Sequence, residues 1–168
     1  MTYSCLITMC IIALPNKGRL LKMKYDIVTL EEKTVVGVSG VTSHNDPQMS
    51  DMIRGLWEKL YPGGVSATIN NKINEHAIGL YSDYSGDQYS VTAGNEVSKA
   101  ENDELTVKTI PAGTYAKFSV HGHMVDAVVK AWEEIWKMDL DRRFTGDFEE
   151  YLNSDWEEAD IDIYIALK

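Results

Sequence analysis

The chain has 168 residues, of which 44% are apolar and 25% charged, and this composition is typical of one soluble globular domain with a core of its own. With 26 acidic against 16 basic residues it carries a formal net charge of −10. A surface this acidic repels phosphate backbones, so we expect no direct binding of DNA or RNA, whereas cations are attracted from a distance.

The N-terminal segment, residues 1–22, differs in pattern from residues 23–168, which we expect to form the domain. Both cysteines lie in this segment, so the domain needs no disulfide and fits a reducing cytoplasm. The apolar run at 5–14 is too short to span a bilayer, and no basic residues precede it as in a signal peptide. We therefore expect a cytoplasmic protein without membrane association. An alternative hypothesis is that translation begins at Met23.

The predicted elements begin with a weakly alternating stretch at 25–30 and a β-branched strand at 34–41. Asp46 and Pro47 are typical of a helix start, as N-cap and first helical residue, and Pro and Gly residues at 62–64 end this helix. The remaining elements are, in chain order, a polar connection at 65–76, a hairpin of strands at 77–84 and 88–97, a charged loop, a second hairpin at 105–110 and 114–120, a helix at 124–138, and strands at 147–152 and 161–167.

Each half of the chain therefore reads as strand, helix, strand, strand, and the two helices share one apolar pattern. The apolar residues are Met49, Met52, Ile53, Leu56 and Leu60 in the first helix and Val125, Val128, Val129, Trp132 and Trp136 in the second. Each set covers one helical face, and the second is the first shifted by 76 positions (125 − 49). Because no flexible linker separates the halves, we expect an α+β domain in which both share one sheet. The cleft between two such halves is a favourable place for a small ligand.

Glu149 is the first candidate for chemistry. On a strand it shares one face with Tyr151, while Phe148, Glu150 and Leu152 share the other. A carboxylate beside a phenol on a strand that faces a cleft can hold an organic cation, because desolvation strengthens the attraction between charges. The alternative interpretation is that Glu149 and Glu150 are solvated on an edge strand.

Aromatic side chains are the second group of candidates, because their faces attract cations. The set comprises Trp57, Tyr81, Tyr84, Tyr89, Tyr115, Phe118, Trp132, Trp136, Tyr151 and Trp156. Trp132 lies in the apolar stripe of its helix and is most simply a core residue. The segment Gly79-Leu80-Tyr81 takes the place in the first half that Phe148-Glu149 takes in the second, so we expect Tyr81 to face Glu149.

Metal and cofactor sites are not indicated. His121 and His123 lie two positions apart, but no nearby cysteine or paired carboxylate completes a tetrahedral set, so we interpret them as part of a strand-to-helix turn. No glycine-rich phosphate loop follows a strand, and no nucleophile elbow is present. We expect neither a metal nor a cofactor.

A series of short motifs over about residues 23–168 resembles the GyrI-like small-molecule-binding family, the effector-binding part of AraC-type and MerR-type multidrug-responsive regulators. The motifs are Thr34-Val35-Val36-Gly37-Val38-Ser39-Gly40, Gly79-Leu80-Tyr81, Ala93-Gly94-Asn95-Glu96-Val97, Ile110-Pro111-Ala112-Gly113-Thr114-Tyr115-Ala116, Phe148-Glu149-Glu150-Tyr151-Leu152 and Ile161-Asp162-Ile163-Tyr164-Ile165. The resemblance implies two βαββ repeats, related by a pseudo-twofold axis, that form one antiparallel sheet with two helices and a central ligand pocket.

The resemblance also implies roles for particular residues. In this family the glutamate of the F-E-x-Y motif is the buried acid that meets cationic aromatic ligands, and the matching residue is Glu149. Since other pocket positions vary, Tyr81, Tyr115, Trp136 and Tyr151 are inferred rather than carried over as ligand-binding residues. The residues before Met23 are too few for a helix-turn-helix domain, so the chain resembles the stand-alone members, among them gyrase inhibitors, drug-sequestering proteins and hydrolases of strained cyclopropane-type toxins.

Three functions remain open at this point. The favoured one is a binding protein for lipophilic or aromatic, cationic ligands, serving drug or toxin sequestration or sensing. The second is a hydrolase of strained electrophiles, with Glu149 as catalytic base or nucleophile and Tyr151 as proton donor. The third is an interaction protein that inhibits a protein partner such as DNA gyrase.

Overall fold

The structure, a computed structural model, describes residues 22–168, which form a curled antiparallel sheet of eight strands with three helices, an α+β fold as predicted. The elements are β1 Asp26–Leu30, β2 Lys33–Ser43, α1 Met49–Leu60, α2 Val65–Thr68, β3 Ala77–Ser85, β4 Gln88–Val97, β5 Thr106–Ile110, β6 Gly113–Gly122, α3 Met124–Trp136, β7 Gly146–Tyr151 and β8 Ala159–Ala166. The N-terminal segment lies outside the described residues, apart from Lys22. Within residues 22–168, no helix has the length and apolarity needed to cross a membrane.

The order of the strands across the sheet is β1-β6-β8-β7-β3-β4-β2-β5, and this order is symmetric about its centre. Counted inward from the two edges, β1 matches β5, β6 matches β2, β8 matches β4 and β7 matches β3. A pseudo-twofold axis therefore passes between β3 and β7, which confirms the predicted repeat. The first strand of each half pairs with the other half, β1 with β6 and β5 with β2.

The second predicted hairpin, at 105–110 and 114–120, is wrong. Both strands form, but β5 pairs with β2 while β6 pairs with β1 and β8. The residues between them, Pro111 and Ala112, carry the chain from one edge of the curled sheet towards the other. Turn residues mark a short connection in a sequence, but long-range pairing decides which strands become neighbours.

The helices show three smaller differences from the prediction. The two long helices are related by a shift of 75 positions along the sequence rather than 76, because α1 begins at Met49 and α3 at Met124 (124 − 49). At the start of α1, Asp46 does not act as N-cap; it accepts hydrogen bonds from the Gln48 amide and the Thr42 hydroxyl, at 2.8 and 3.0 Å, and so stabilises the preceding turn. The connection at 65–76 contains the short helix α2.

The two long helices pack on one face of the sheet. Residues of α3 form a core with β6, β7 and β8, and residues of α1 form a second core with β2 and β4. A third cluster, which includes Phe148, Tyr164 and Tyr115, contains no helical residue and lies on the other face. Strand alternation thus assigns Glu149 to the helix-covered face and its neighbours Phe148 and Glu150 to the opposite one.

Candidate functional site

Glu149 lies at the centre of the sheet, on β7 and directly opposite Gly79 on β3. Its side chain is buried, with 2% of its surface exposed. One carboxylate oxygen, Oε1, accepts hydrogen bonds from the Trp132 indole N–H at 2.6 Å and from the Tyr81 hydroxyl at 3.1 Å. The other, Oε2, accepts one from the Tyr151 hydroxyl at 2.7 Å. Three donors from three elements therefore converge on this carboxylate.

The aromatic groups around Glu149 obey the pseudo-twofold symmetry. Tyr81 and Tyr151 occupy equivalent places on β3 and β7, and each has a tryptophan of one long helix at its edge. The ring centroids of Trp57 and Tyr151 are 5.3 Å apart and those of Trp132 and Tyr81 are 5.5 Å apart, both with an interplanar angle of 73°. Each half of the molecule thus supplies one tryptophan and one tyrosine to the site, and each Trp–Tyr pair joins the two halves.

Gly79 is the symmetry mate of Glu149, and its lack of a side chain makes room for the carboxylate. A Cβ atom at this position would lie 3.0 Å from the Trp57 ring and 3.1 Å from Glu149 Oε2. Both distances are tight for a carbon contact. The site accordingly holds one acid on its axis rather than two.

The electrostatic environment of Glu149 is unusual for a buried acid. Burial raises the pKa of its carboxyl group, and the hydrogen bonds from Trp132, Tyr151 and Tyr81 offset part of this rise. Among residues 22–168, no lysine, arginine or histidine forms an ion pair with it. Burial and the nearby Glu149 charge raise the pKa of the Tyr81 and Tyr151 hydroxyls well above the ordinary value, so both stay protonated and donate.

A cavity of about 630 Å³ lies beside this carboxylate. Its walls are formed by His44, Tyr81, Tyr84, Gly86, Tyr89, Trp132, Trp136, Arg142 and Phe144. Glu149 itself is not among the lining residues. Tyr81 and Trp132 belong both to the wall and to the set of donors, and they therefore separate the carboxylate from the cavity.

A second buried carboxylate, Asp147, lies behind another part of the wall. Its Oδ2 accepts hydrogen bonds from Arg142 Nη2 at 2.5 Å and from the Tyr84 hydroxyl at 2.9 Å, and its Oδ1 accepts one from the Ala166 amide at 2.8 Å. The Arg142 guanidinium also lies 4.5 Å from the centre of the Phe144 ring. Unlike Glu149, Asp147 has a cation beside it.

A β-bulge in β3 aims Tyr84 into the cavity. The pairing of β3 with β4 shifts register between Ser82 and Ser85, and Asp83 has a φ of +52°. In a regular strand Tyr84 and Tyr81 would point to opposite faces, since they are three positions apart. The extra residue changes this alternation, so both rings border the same cavity.

The structure brings together most of the residues expected at the site. Tyr81 and Tyr151 each donate a hydrogen bond to Glu149, and Trp136 lines the cavity with 39% of its surface exposed. Tyr115 is not brought to this site. It packs against Phe148 on the other face of the sheet and donates its hydroxyl hydrogen bond to the Pro111 carbonyl at 2.7 Å.

Several site residues were missed or underestimated by the sequence analysis. Trp132, interpreted as core, packs in the core and also donates to the carboxylate. The others are His44, Arg142, Phe144 and Asp147. Arg142 and Phe144 lie in an irregular segment with no periodic pattern, so only the proximity of opposite charges at 142 and 147 could have suggested them.

The pair His121 and His123 forms the strand-to-helix turn expected from the sequence. The His123 side chain caps α3 by accepting from the Asp126 amide at 3.5 Å. The His121 ring contacts Asp160 and Glu158 at 2.8 and 2.7 Å on the surface.

Solved structures that share this fold include three that align over most of this chain. A Staphylococcus aureus MU50 protein proposed to act in bacterial transcription regulation has a TM-score of 0.74 at 22% identity, over 87% of this chain and 99% of its own. SAV2435, bound to tetraphenylphosphonium, has a TM-score of 0.73 at 22% identity, over 87% and 94%. An integron cassette protein from the mobile metagenome of Vibrio cholerae has a TM-score of 0.68 at 26% identity, over 86% and 95%.

No curated protein matches the chain. Residues 26–167, however, match the Cass2 family, described as integron-associated effector binding proteins, and this match includes every element of the sheet and all three helices. An effector-binding family with this fold has a small-molecule ligand, and the aromatic cavity is a suitable place for one. The chain therefore belongs to the Cass2 family of integron-associated effector binding proteins and has a small-molecule-binding role.

Proposed function

We propose that this protein binds lipophilic, aromatic organic cations in its cavity, with Glu149 as the counter-charge, and that it thereby sequesters or senses a drug or toxin. The observation that carries the proposal is the environment of Glu149. This carboxylate is buried, accepts three hydrogen bonds and has no cationic partner among residues 22–168.

A buried charge without a counter-ion has a large desolvation free energy, and hydrogen bonds from neutral donors offset only part of it. An organic cation in the adjacent cavity would supply the missing positive charge. Its apolar surface would at the same time be removed from water by the tyrosine and tryptophan rings that line the wall. Charge and shape of the site thus favour the same class of ligand.

The rings between the cavity and the carboxylate support the proposal in a second way. Tyr81 and Trp132 each donate a polar hydrogen to Glu149 Oε1. Donation to an anion polarises a ring and increases the negative charge on its face, which strengthens its attraction for a cation. A cation in the cavity is therefore attracted to Glu149 through these rings. It would contact the carboxylate directly if either ring rotated away.

The test uses isothermal titration calorimetry with tetraphenylphosphonium and with neutral triphenylphosphine oxide, which has three of the same four phenyl rings on phosphorus. SAV2435 has been solved with the former, which makes it a suitable first probe. We expect Glu149→Gln to weaken binding of the cation by about tenfold or more, the effect of one partly buried charge pair, and binding of the neutral ligand by less than about twofold.

Glu150→Gln is the matched control, since Glu150 is the next residue on the same strand but lies on the other face, where it contacts His76 Nδ1 at 2.8 Å. It should leave both affinities unchanged. Equal weakening of the cation and the neutral ligand by Glu149→Gln would refute the charge role. Failure of every lipophilic cation to bind the wild type would refute the proposal as a whole.

A further inference from the structure

Arg142 brings a guanidinium group to the cavity wall, and the cation-binding proposal does not use it. The lining residues include this guanidinium but no carboxylate, since both acids of the site lie behind the wall. A ligand that is only a cation offers no acceptor to the guanidinium N–H groups at this wall. The wall is therefore better suited to a ligand that also offers something to a guanidinium.

The guanidinium is held in a fixed position. Its Nη2 donates to Asp147 Oδ2 at 2.5 Å, and its plane lies against the Phe144 ring, with 4.5 Å between the guanidinium carbon and the ring centre. Tyr84 approaches the same carboxylate oxygen and has its ring edge on Phe144, at 5.7 Å between centroids. A donor fixed by two neighbours, Asp147 and Phe144, loses little conformational entropy when it binds an acceptor.

The hydrogen bonds of this segment are incomplete. Two buried side-chain polar atoms in residues 22–168 have no hydrogen-bond partner, and they are Arg142 Nε and Thr145 Oγ1. Both belong to the short stretch between α3 and β7 from which Arg142 and Phe144 line the cavity. These two atoms are closed to solvent, so an acceptor in the cavity would instead bind the guanidinium N–H groups of Arg142 that the Asp147 hydrogen bond leaves free.

We infer that the ligand carries a hydrogen-bond acceptor, at best a carboxylate, in addition to its cationic centre, and that Arg142 binds this acceptor. The inference rests on the proposed function for the cationic end. Asp147 and Glu149 lie two residues apart on one strand, which separates the two polar corners by about 7 Å along the strand direction. The ligand class is therefore an aromatic zwitterion, or a cation with a strong acceptor, with its two groups about 7 Å or somewhat more apart.

The test compares three phosphonium probes that differ at one position: benzyltriphenylphosphonium, its 4-methoxycarbonyl derivative and its 4-carboxy derivative. The phosphorus and the added group of the latter two are about 7 Å apart, the separation expected between the two corners. For the wild type we expect the affinity to rise in this order, with the carboxylate binding about tenfold more tightly than the unsubstituted cation, as for a charge-assisted hydrogen bond.

The double variant Arg142→Gln/Asp147→Asn removes both charges together, so that neither is left buried alone. It should reduce the preference for the carboxylate to less than about twofold while still binding the unsubstituted cation. Arg143→Gln is the control, because Arg143 is exposed, lies next in sequence and does not line the cavity; it should keep the full preference.

Two results would overturn the inference alone: equal affinities of the wild type for the three probes, or a preference that persists in the double variant. The wild-type series decides the question even if the double variant fails to fold. If the wild type binds none of the three probes, the proposed function fails together with the inference, and the two failures are thereby told apart.

Discussion

Ionisation of Glu149 couples ligand binding to pH. Burial raises the pKa of this carboxyl group in the ligand-free protein, and a bound cation favours the ionised form, which lowers the pKa again. We expect the affinity for tetraphenylphosphonium to fall as the pH decreases through the raised pKa, with proton release on binding at pH values near it. Calorimetry in two buffers of different ionisation enthalpy measures both effects. A pH dependence that is the same in Glu149→Gln would contradict this.

The same raised pKa affects the stability of the protein without ligand. Because the folded state holds the proton more tightly than the unfolded state, the cost of the Glu149 charge is absent below the ordinary carboxyl pKa. It grows as the pH rises towards the folded-state pKa and is constant above it. Glu149→Gln should therefore have a higher free energy of unfolding than the wild type at pH 8, with a difference that shrinks in acid. Urea denaturation at pH 8 and pH 4.5 measures this, and a less stable variant at pH 8 would show that its new amide is poorly accommodated.

At the scale of elements, the close packing of α1 against β3 and β7 depends on Gly79. An alanine there would place a methyl group 3.0 Å from Trp57 and 3.1 Å from Glu149 Oε2, so the helix or the carboxylate must shift. We expect Gly79→Ala to reduce the free energy of unfolding by about 1–3 kcal/mol, the usual cost of overpacking, and to weaken binding of the cation. Chemical denaturation and calorimetry are the measurements.

The control for this substitution is Gly55→Ala, within α1 itself. A Cβ atom at Gly55 would have no neighbour within 4 Å, and alanine is the better helix former. This variant should gain roughly 0.5–1 kcal/mol in stability and bind the cation as the wild type does. If the loss in free energy of unfolding for Gly79→Ala were no larger in magnitude than the change for Gly55→Ala, β3 and α1 would accommodate the methyl group without strain.

The elements themselves were largely predictable, because helix periodicity and strand alternation are local properties. Both long helices, the hairpin of β3 and β4, and the face that Glu149 shares with Tyr151 follow from such patterns. The partner strands of β5 and β6 do not follow from such patterns, since they depend on the curl of the whole sheet. The orientation of Tyr84 was not predicted for a related reason: a bulge at Asp83 changes the alternation of the strand, and no residue type in the strand indicates a bulge.

The positions of Tyr115 and Arg142 show the same limit at the site. Tyr115 was inferred as a ligand-binding residue because it is aromatic, yet the pairing of β6 with β8 places it beside Phe148 on the face without helices. Arg142 precedes β7 in a segment with no period, so its position at the cavity emerges only from tertiary packing. The family resemblance pointed to Glu149, whereas the residues of the cavity wall could be identified only from the structure.

For the molecule as a whole, the exchange of first strands joins the two halves. β1 belongs to the first half of the chain but pairs with β6, and β5 belongs to the second but pairs with β2. Neither half can complete its part of the sheet alone, and the Glu149 site draws donors from both. The two halves are thus related by symmetry but are not independent units, and the candidate site lies where they meet.

The net charge of −10 should affect how fast a cation arrives. A negative protein attracts a cation over distances of the order of the Debye length, which is about 10 Å at 0.1 M salt and shorter at higher concentrations. Since Glu149 is buried within the sheet, its own contribution after binding is screened much less. We therefore expect the association rate of tetraphenylphosphonium to fall several-fold between about 20 mM and 500 mM salt, while its dissociation rate changes little.

Stopped-flow measurement of the intrinsic tryptophan fluorescence gives both rates, because Trp132 and Trp136 line the cavity. Triphenylphosphine oxide is the control, and its association rate should not depend on salt concentration. In Glu149→Gln, the association rate of the cation should keep most of its dependence on salt, since the surface charge is nearly unchanged, while dissociation becomes faster. Suppose that salt instead altered mainly the dissociation rate in the wild type. The bound cation would then be held by charges in an open, solvated site, and not by the buried Glu149 carboxylate.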